Sequence, residues 1–146
     1  MNERVIDTEV KLVRYYPNYA AALPWYQDLR LCRQVDNRDT PYDLALLKRM
    51  YQYLNQRGDL FYIKYKNRLC GDVCLQTNGE ICIVVAKEFQ NRHIGRRVVR
   101  EIIKLAREKE MDTLRAEIYS FNVQSQRMFE SVGFKRESSE TYIFPL

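Results

Sequence analysis

The spacing of apolar residues changes period several times along the chain, and each change marks an element. Val10 and Leu12 alternate with Lys11, Val13 and Tyr15, which predicts a strand within Thr8–Tyr16. Pro17-Asn18 stops it, and Asn18 can cap a short helix through Ala20, Ala21, Ala22 and Leu23. Pro24 breaks or restarts that helix. Trp25-Tyr26-Gln27-Asp28 follows, and the polar stretch Arg33 to Asp39 reads as a loop. Thr40 and Pro41 suit the N-cap and first position of a second helix, whose stripe is Leu44, Leu47, Tyr51 and Leu54 and whose stop is Gly58. Leu60–Tyr65 and Leu69–Leu75, joined at Lys66-Asn67-Arg68, read as a β-hairpin. A turn at Thr77-Asn78-Gly79 leads into the β-branched run Ile81–Ala86.

The period then becomes helical, with Val98, Val99, Ile102, Ile103 and Ala106 on one face. Leu114, Ala116 and Ile118 alternate with Arg115, Glu117 and Tyr119 as another strand. Asn122 can cap a helix bearing Met128, Phe129 and Val132, ended by Gly133, and Thr141–Phe144 reads as a last strand. The expected order is β, α, α, β, β, β, α, β, α, β. No internal repeat or linker interrupts it.

One stretch, Ile81 to Lys109, combines a buried strand, a tight basic loop and an amphipathic helix. The first turn of such a helix presents unpaired N–H groups and the positive end of the helix dipole. With Arg92, Arg96, Arg97 and Arg100 nearby, that end suits a phosphate-bearing ligand.

Charge supports this picture and leaves alternatives. The net charge is +5, and Arg92 to Arg107 carries six basic residues against Glu101 alone. Such a face is commonly just solvated; it also attracts nucleic acid or an acidic small molecule. Nucleic acid ranks last, because aromatic residues are not interleaved with the basic cluster. The 146 residues suit one domain, expected to span 1–146, and 46% hydrophobic with 29% charged residues describe a globular protein. No apolar run approaches membrane-spanning length, and the N-terminus lacks a signal-peptide layout, so the expected location is the cytoplasm. Cys32, Cys70, Cys74 and Cys82 have neither zinc-knuckle nor redox-pair spacing and read as reduced thiols; no metal is expected. His93 is the only histidine, and no nucleophile elbow accompanies it.

Two motifs then stand in order: Gln90-Asn91-Arg92-His93-Ile94-Gly95-Arg96 after the strand, and Asn122-x-x-Ser125-x-x-Met128-Phe129-x-x-x-Gly133-Phe134. Together they resemble the pyrophosphate loop and the last helix of the GNAT family of acetyl-CoA-dependent N-acetyltransferases. Gly71-Asp72 also fits that family's third strand. The resemblance covers roughly residues 8 to 144, with its specific part from Ile81 to Phe134. It implies a single mixed α/β (α+β) domain, with a twisted mixed sheet splayed open between its fourth and fifth strands (Ile81–Val85 and Leu114–Tyr119) and helices on both faces.

The resemblance implies that acetyl-CoA lies in the opening. Backbone groups at Val84, Val85 and Ala86 would pair with the pantetheine arm. Gln90, Asn91, Arg92, His93, Ile94, Gly95, Arg96 and Arg97 would form the phosphate loop. Asn122, Ser125 and Phe129 would border the cofactor from the last helix. Asn91 and His93 stand where the family often has Gly, a residue free to take positive φ. Asn tolerates that conformation better than His, so the His93 side chain is expected at the solvent edge. Phe129 stands where many members carry a Tyr credited with protonating the CoA thiolate, and it can only pack.

Acetyl transfer needs a neutral amine, a donor for the carbonyl oxygen and proximity. Glu117 is the expected base, Tyr119 the expected acid, and Glu80 a further base acting through water. The plain alternative for Glu117 is a surface carboxylate paired with Arg115. The acceptor should meet the segment Asn18–Gly58, where Trp25, Tyr26 and Tyr51 are candidate lining residues. The expected partners are acetyl-CoA and an amine, without a membrane; homodimerisation is left open. A silent acetyl-CoA sensor is the competing reading. Arg97→Glu is expected to weaken cofactor binding more than folding.

Overall fold

The computed structural model describes residues 3–146. Strand β1 (Glu3–Val5) pairs antiparallel with β2 (Val10–Arg14), and a short helix α1 (Tyr19–Ala22) follows, capped by Asn18 through its side chain as the sequence predicts. Pro24 does not end the helical path. It sits in the first turn of a 3₁₀ segment, Leu23–Gln27, where its missing N–H costs nothing. Asp28 then caps α2 (Leu29–Asp36) and Asp43 caps α3 (Leu44–Arg57).

These two caps correct the sequence reading. Arg33–Asp36 is helical, not loop, because the amphipathic turn begins four residues earlier at Leu29; only Asn37 onward leaves the helix, with φ 50 in the left-handed region. Thr40-Pro41 is not the start of α3. Asp43 Oδ1 accepts from the Leu46 N–H at 2.8 Å, so the nearer carboxylate takes the cap.

The hairpin β3 (Gly58–Tyr65) and β4 (Arg68–Gln76) forms with its turn at Lys66-Asn67, both at positive φ. Strand β5 (Ile81–Val85) adds to β4, giving an antiparallel sheet in the order β1-β2-β3-β4-β5. A 3₁₀ turn (Lys87–Phe89) leads to helix α4 (Ile94–Glu108). All five apolar stripe residues of α4 are buried. Then come β6 (Thr113–Glu117), α5 (Val123–Ser131), β7 (Lys135–Arg136) and β8 (Thr141–Pro145), in a second sheet ordered β6-β8-β7.

The two sheets touch through one parallel bridge, Glu80 to Arg115, with the Arg115 N–H on Gly79 O at 2.9 Å. Beyond Glu80, strands β5 and β6 diverge and share no further ladder. This is the expected opening, and its parallel character rests on that single bridge. Helix α4 packs on β2, β4 and β5, while α3 packs on β3 and β4.

Strand β1 escaped the sequence reading because it is short and largely exposed. Side chains hold it: Arg4 reaches Glu101 at 2.9 Å and Glu108 at 2.8 Å, both on α4. Among the described residues, no helix is long and apolar enough to cross a membrane.

Candidate active site

Two cavities lie at the opening. The first, about 450 Å³, runs between β5, the loop Phe89–Asn91 and the N-terminal turns of α4 and α5. The second, about 470 Å³, lies between the ends of α2 and α3, the β4–β5 ladder and β6. Gln34, Val35, Ile83, Val84, Asn122 and Ser125 line both, so the two spaces meet beside β5.

The first cavity is a bank of backbone donors. Asn91 and His93 both take left-handed conformations, at φ 64 and φ 59. The φ of His93 puts the following residues into α4 with no side-chain cap. The Arg97 N–H is the first to return to the helix path, bonding His93 O at 3.1 Å. The six N–H groups from Asn91 to Arg96 donate to no protein acceptor among the described residues. The loop is braced from below, where Gln90 Nε2 donates to Val85 O at 3.0 Å. Gly95 lies in the first turn of α4 and lines the cavity, and a Cβ there would meet only Met128 Cε at 3.5 Å. Arg96 lines the same space with its Nε buried and unpaired. The lining holds His93, Arg96 and Arg127 and no carboxylate.

Strand β5 offers its free edge to this cavity. The bonds from Gln76 N–H to Glu80 O and from Ala86 N–H to Cys70 O set the antiparallel alternation. Even-numbered residues, Val84 and Ala86 among them, therefore spend their backbone groups on β4. Ile83 and Val85 turn theirs toward the opening. Val84 and Ala86, expected to meet the pantetheine arm, pair with β4 instead; the groups left toward the opening are those of Ile83 and the N–H of Val85, whose carbonyl already accepts from Gln90 Nε2.

Of the other expected cofactor residues, Gln90, Asn91, His93, Ile94, Gly95, Arg96, Asn122 and Ser125 line the first cavity; Arg92, Arg97 and Phe129 do not. Arg97 pairs with Asp7 at 3.1 Å and Glu9 at 3.0 Å and donates to Arg92 O, tying α4 to the β1–β2 turn. Arg92 lies over the Tyr65 ring. Phe129 is 3% exposed, packs edge-on against Phe134 and borders the second cavity. Asn122 serves as a joint: its Oδ1 caps α5 at the Ser125 N–H, and its Nδ2 donates to Gln34 O on α2.

The second cavity has the opposite chemistry. Asp36, Asp72, Glu80, Glu117 and Glu140 line it, and no lysine or arginine does. Glu117 is exposed at the mouth, with Oε2 accepting from the Thr141 hydroxyl at 2.9 Å and Oε1 lying 3.1 Å from Arg115 Nε. Tyr119 lines the cavity with its ring stacked on Phe121 and its hydroxyl unbonded to protein among the described residues. Of the expected acceptor residues, Tyr26 lines the cavity; Tyr51 stands behind it, and Trp25 packs instead on Tyr62.

Asp72 is the group the sequence reading missed as chemistry. It is 3% exposed, on a strand otherwise apolar from Leu69 to Leu75. Tyr26 and Tyr51 both donate to its Oδ2, at 2.7 and 2.8 Å. Burial pushes its carboxyl up to about 6, against the pull of the two hydroxyls. A lone acid inside an apolar run was the available signal, since charges are rarely buried without a task.

The comparisons agree with this geometry. A family model described as the acetyltransferase (GNAT) family matches residues 22–134. A search of curated proteins by sequence finds no match. Similar folds include the microcin C7 self-immunity acetyltransferase MccE, solved with acetyl-CoA and AMP, at 14% identity and TM-score 0.76 over 97% of this chain and 94% of that one. They include the Salmonella typhimurium acetyl transferase that modifies the N-terminal serine of ribosomal protein L7/L12, at 12% identity and TM-score 0.78 over 99% of both chains. A domain from Methanocaldococcus jannaschii matches at 22% identity and TM-score 0.79, over 96% of this chain and all of that one. At these identities the structures speak for the fold, while the family model covers most of the sequence. The chain belongs to the GNAT family of acetyltransferases.

Proposed function

We propose that the protein is an N-acetyltransferase that moves an acetyl group from acetyl-CoA to a primary amine by direct attack, with both substrates bound. The observation that carries this reading is the meeting of the two cavities at Ile83 and Val84. One has the chemistry of a diphosphate-bearing thioester and the other that of an amine.

In this reading the diphosphate sits on the N–H groups of Asn91–Arg96, with the α4 dipole behind it. The pantetheine amides extend along Ile83 and Val85 as an added strand. That track delivers the thioester to the junction, where the outward Val85 N–H stabilises the developing oxyanion. The amine enters from the second cavity. Its lone pair forms the N–C bond, the carbonyl passes through a tetrahedral oxyanion, and collapse breaks the C–S bond. Two protons leave the ammonium nitrogen, one before attack and one as the intermediate collapses; one passes to solvent and one returns to sulfur. Glu117 takes the first, directly or through water, since an alkyl ammonium (pKa near 10) must lose its proton to react. Tyr119 returns the second. Phe129 supplies no hydroxyl; the thiolate is already a fair leaving group, with a pKa of about 8.5.

The test has two arms. Calorimetry should show acetyl-CoA binding, and a screen of amines should show release of free thiol with acetylated product. Absence of acetyl-CoA binding overturns the reading outright. Binding with no turnover on any amine favours the sensor reading, which Phe129 motivates. Glu117→Gln should lower kcat by about 10²-fold with little change in acetyl-CoA affinity.

A further inference from the structure

We propose that the second cavity takes a primary amine carrying another positive charge a few bonds away: an alkane diamine or oligoamine. The inference rests on the acetyltransferase reading for the fate of the amine, but its evidence is the cavity itself.

Five carboxylates face a space of about 470 Å³, within the range of small-ligand sites. Arg115 answers two of them. Its Nη2 lies 3.1 Å from Glu80 and its Nε 3.1 Å from Glu117. The other three have no cationic partner among the described residues. Asp36 accepts from the Tyr42 hydroxyl at 2.9 Å, Glu140 from the Ser120 N–H at 2.7 Å, and Asp72 from Tyr26 and Tyr51. Both tyrosines bond Oδ2 of Asp72, and no protein donor among the described residues reaches Oδ1. Arg38 and Arg57 lie nearby over the rings of Tyr42 and Tyr53, at 5.3 and 4.1 Å, and pair with none of the three. The chain as a whole is basic, with net charge +5, so the acidic lining is a local arrangement.

The reaction itself argues for a second charge. A carboxylate beside the reacting nitrogen stabilises its ammonium form and so works against attack, unless it also removes the proton. One base suffices for that. Three further unneutralised carboxylates serve binding only if they hold a charge that does not react. The rings of Tyr26 and Tyr119 line the same space, with no cation over them among the described residues, and favour a cation on an aliphatic chain. An amine that ends in a carboxylate would instead meet like charge from every side.

The probes are 1,4-diaminobutane, n-butylamine and 4-aminobutanoate, which share a chain length and differ in the far group. Each is titrated calorimetrically into protein saturated with CoA, and each is offered with acetyl-CoA while thiol release is followed. The diamine should bind at least ~10-fold more tightly than butylamine, and 4-aminobutanoate should be weakest. The double variant Asp36→Asn, Glu140→Gln keeps hydrogen-bond acceptors while removing two charges. It should cut the diamine's advantage by ~10-fold or more, through its Kd and KM, with the acetyl-CoA affinity unchanged. Equal binding of diamine and monoamine, or an unchanged ratio in the variant, overturns the inference. Selective binding of the diamine without acetylation supports the cavity assignment and counts against the transferase reading. Turnover of monoamines alone does the reverse.

Discussion

The two cavities meet along Gln34, Val35, Ile83, Val84, Asn122 and Ser125, yet they differ in chemistry. The first is built around backbone: the unpaired N–H groups of Asn91 and of His93 to Arg96, two left-handed residues, and no carboxylate in its lining. The second is made of side chains: five carboxylates, four tyrosines, and no lysine or arginine in its lining. Backbone donors at a helix start are fixed by local chain geometry, so any sequence that makes the turn makes the site. A side-chain cavity is assembled from α2, α3, β4, β5, β6, α5 and the loop at Glu140, and its chemistry exists only once those elements meet. The same difference suggests where variation can act. The donor bank can stay constant while the acidic lining is altered to suit an acceptor.

The strongest way to break the first half of this comparison is to place a charge among the donors. Gly95→Asp puts a carboxylate in the first turn of α4, where the helix dipole favours it and Met128 is the only side chain near. The melting temperature should hold or rise, while acetyl-CoA affinity falls by about 100-fold or more, read by calorimetry. Retained affinity would show that the cofactor does not use these N–H groups.

The next effect belongs to the second cavity and reads through pH. Asp72 holds its proton up to about 6 in the folded chain, against an ordinary 3.8. Between those values the folded state keeps a proton that the unfolded chain has released. Stability therefore falls as pH rises from ~4 to ~6, and the deficit is constant above that. The groups facing Asp72, the hydroxyls of Tyr26 and Tyr51, are held well above neutrality by burial and do not titrate in this window. Denaturation at pH 4 and pH 7.5 should show Asp72→Asn losing about 2–3 kcal/mol less than the parent across that range. Parallel pH profiles for parent and variant would mean that Asp72 is no more protonated folded than unfolded.

Legibility followed the same division. The strand-loop-helix from Ile81 to Lys109 was readable because its information is local: a β-branched run, a loop with Asn and His, a 3.6-residue stripe. The opening between β5 and β6 followed from family resemblance, not from any residue at the bridge Glu80–Arg115. Asp72 was visible as a letter and not as a site, because its meaning depends on Tyr26 and Tyr51, 46 and 21 residues away. Strand β1 and the α2 cap were lost for related reasons: β1 is held by the distant ion pairs of Arg4, and Asp28 competes with a following proline-free polar run that also suits a loop.

Arg97 marks the limit of reading charge from sequence. Counted as a basic residue near the phosphate loop, it was expected to serve the cofactor. It faces Asp7 and Glu9 instead, with its side chain 23% exposed. Arg97→Glu would set a third carboxylate beside two and remove the bond to Arg92 O. The expected order is therefore reversed: a loss of about 1–2 kcal/mol in stability, with acetyl-CoA affinity changed less than ~3-fold. A large affinity loss at unchanged stability would return Arg97 to the cofactor.

The smallest effect tests the backbone character of the donor bank most directly. His93 holds φ 59 with no side-chain cap on α4, a conformation that costs most side chains about 1 kcal/mol and glycine almost nothing. His93→Gly removes that cost and adds unfolded-state entropy, so its net stability change should stay within about 0.5 kcal/mol. His93→Val adds a β-branched side chain at the same φ and should cost about 1–2 kcal/mol. If the site is backbone, acetyl-CoA affinity follows the geometry: His93→Gly binds within a few-fold of the parent, and His93→Val binds worse. If both variants lose affinity equally, the imidazole itself makes the contact, and the first cavity is less purely a backbone site than its lining implies.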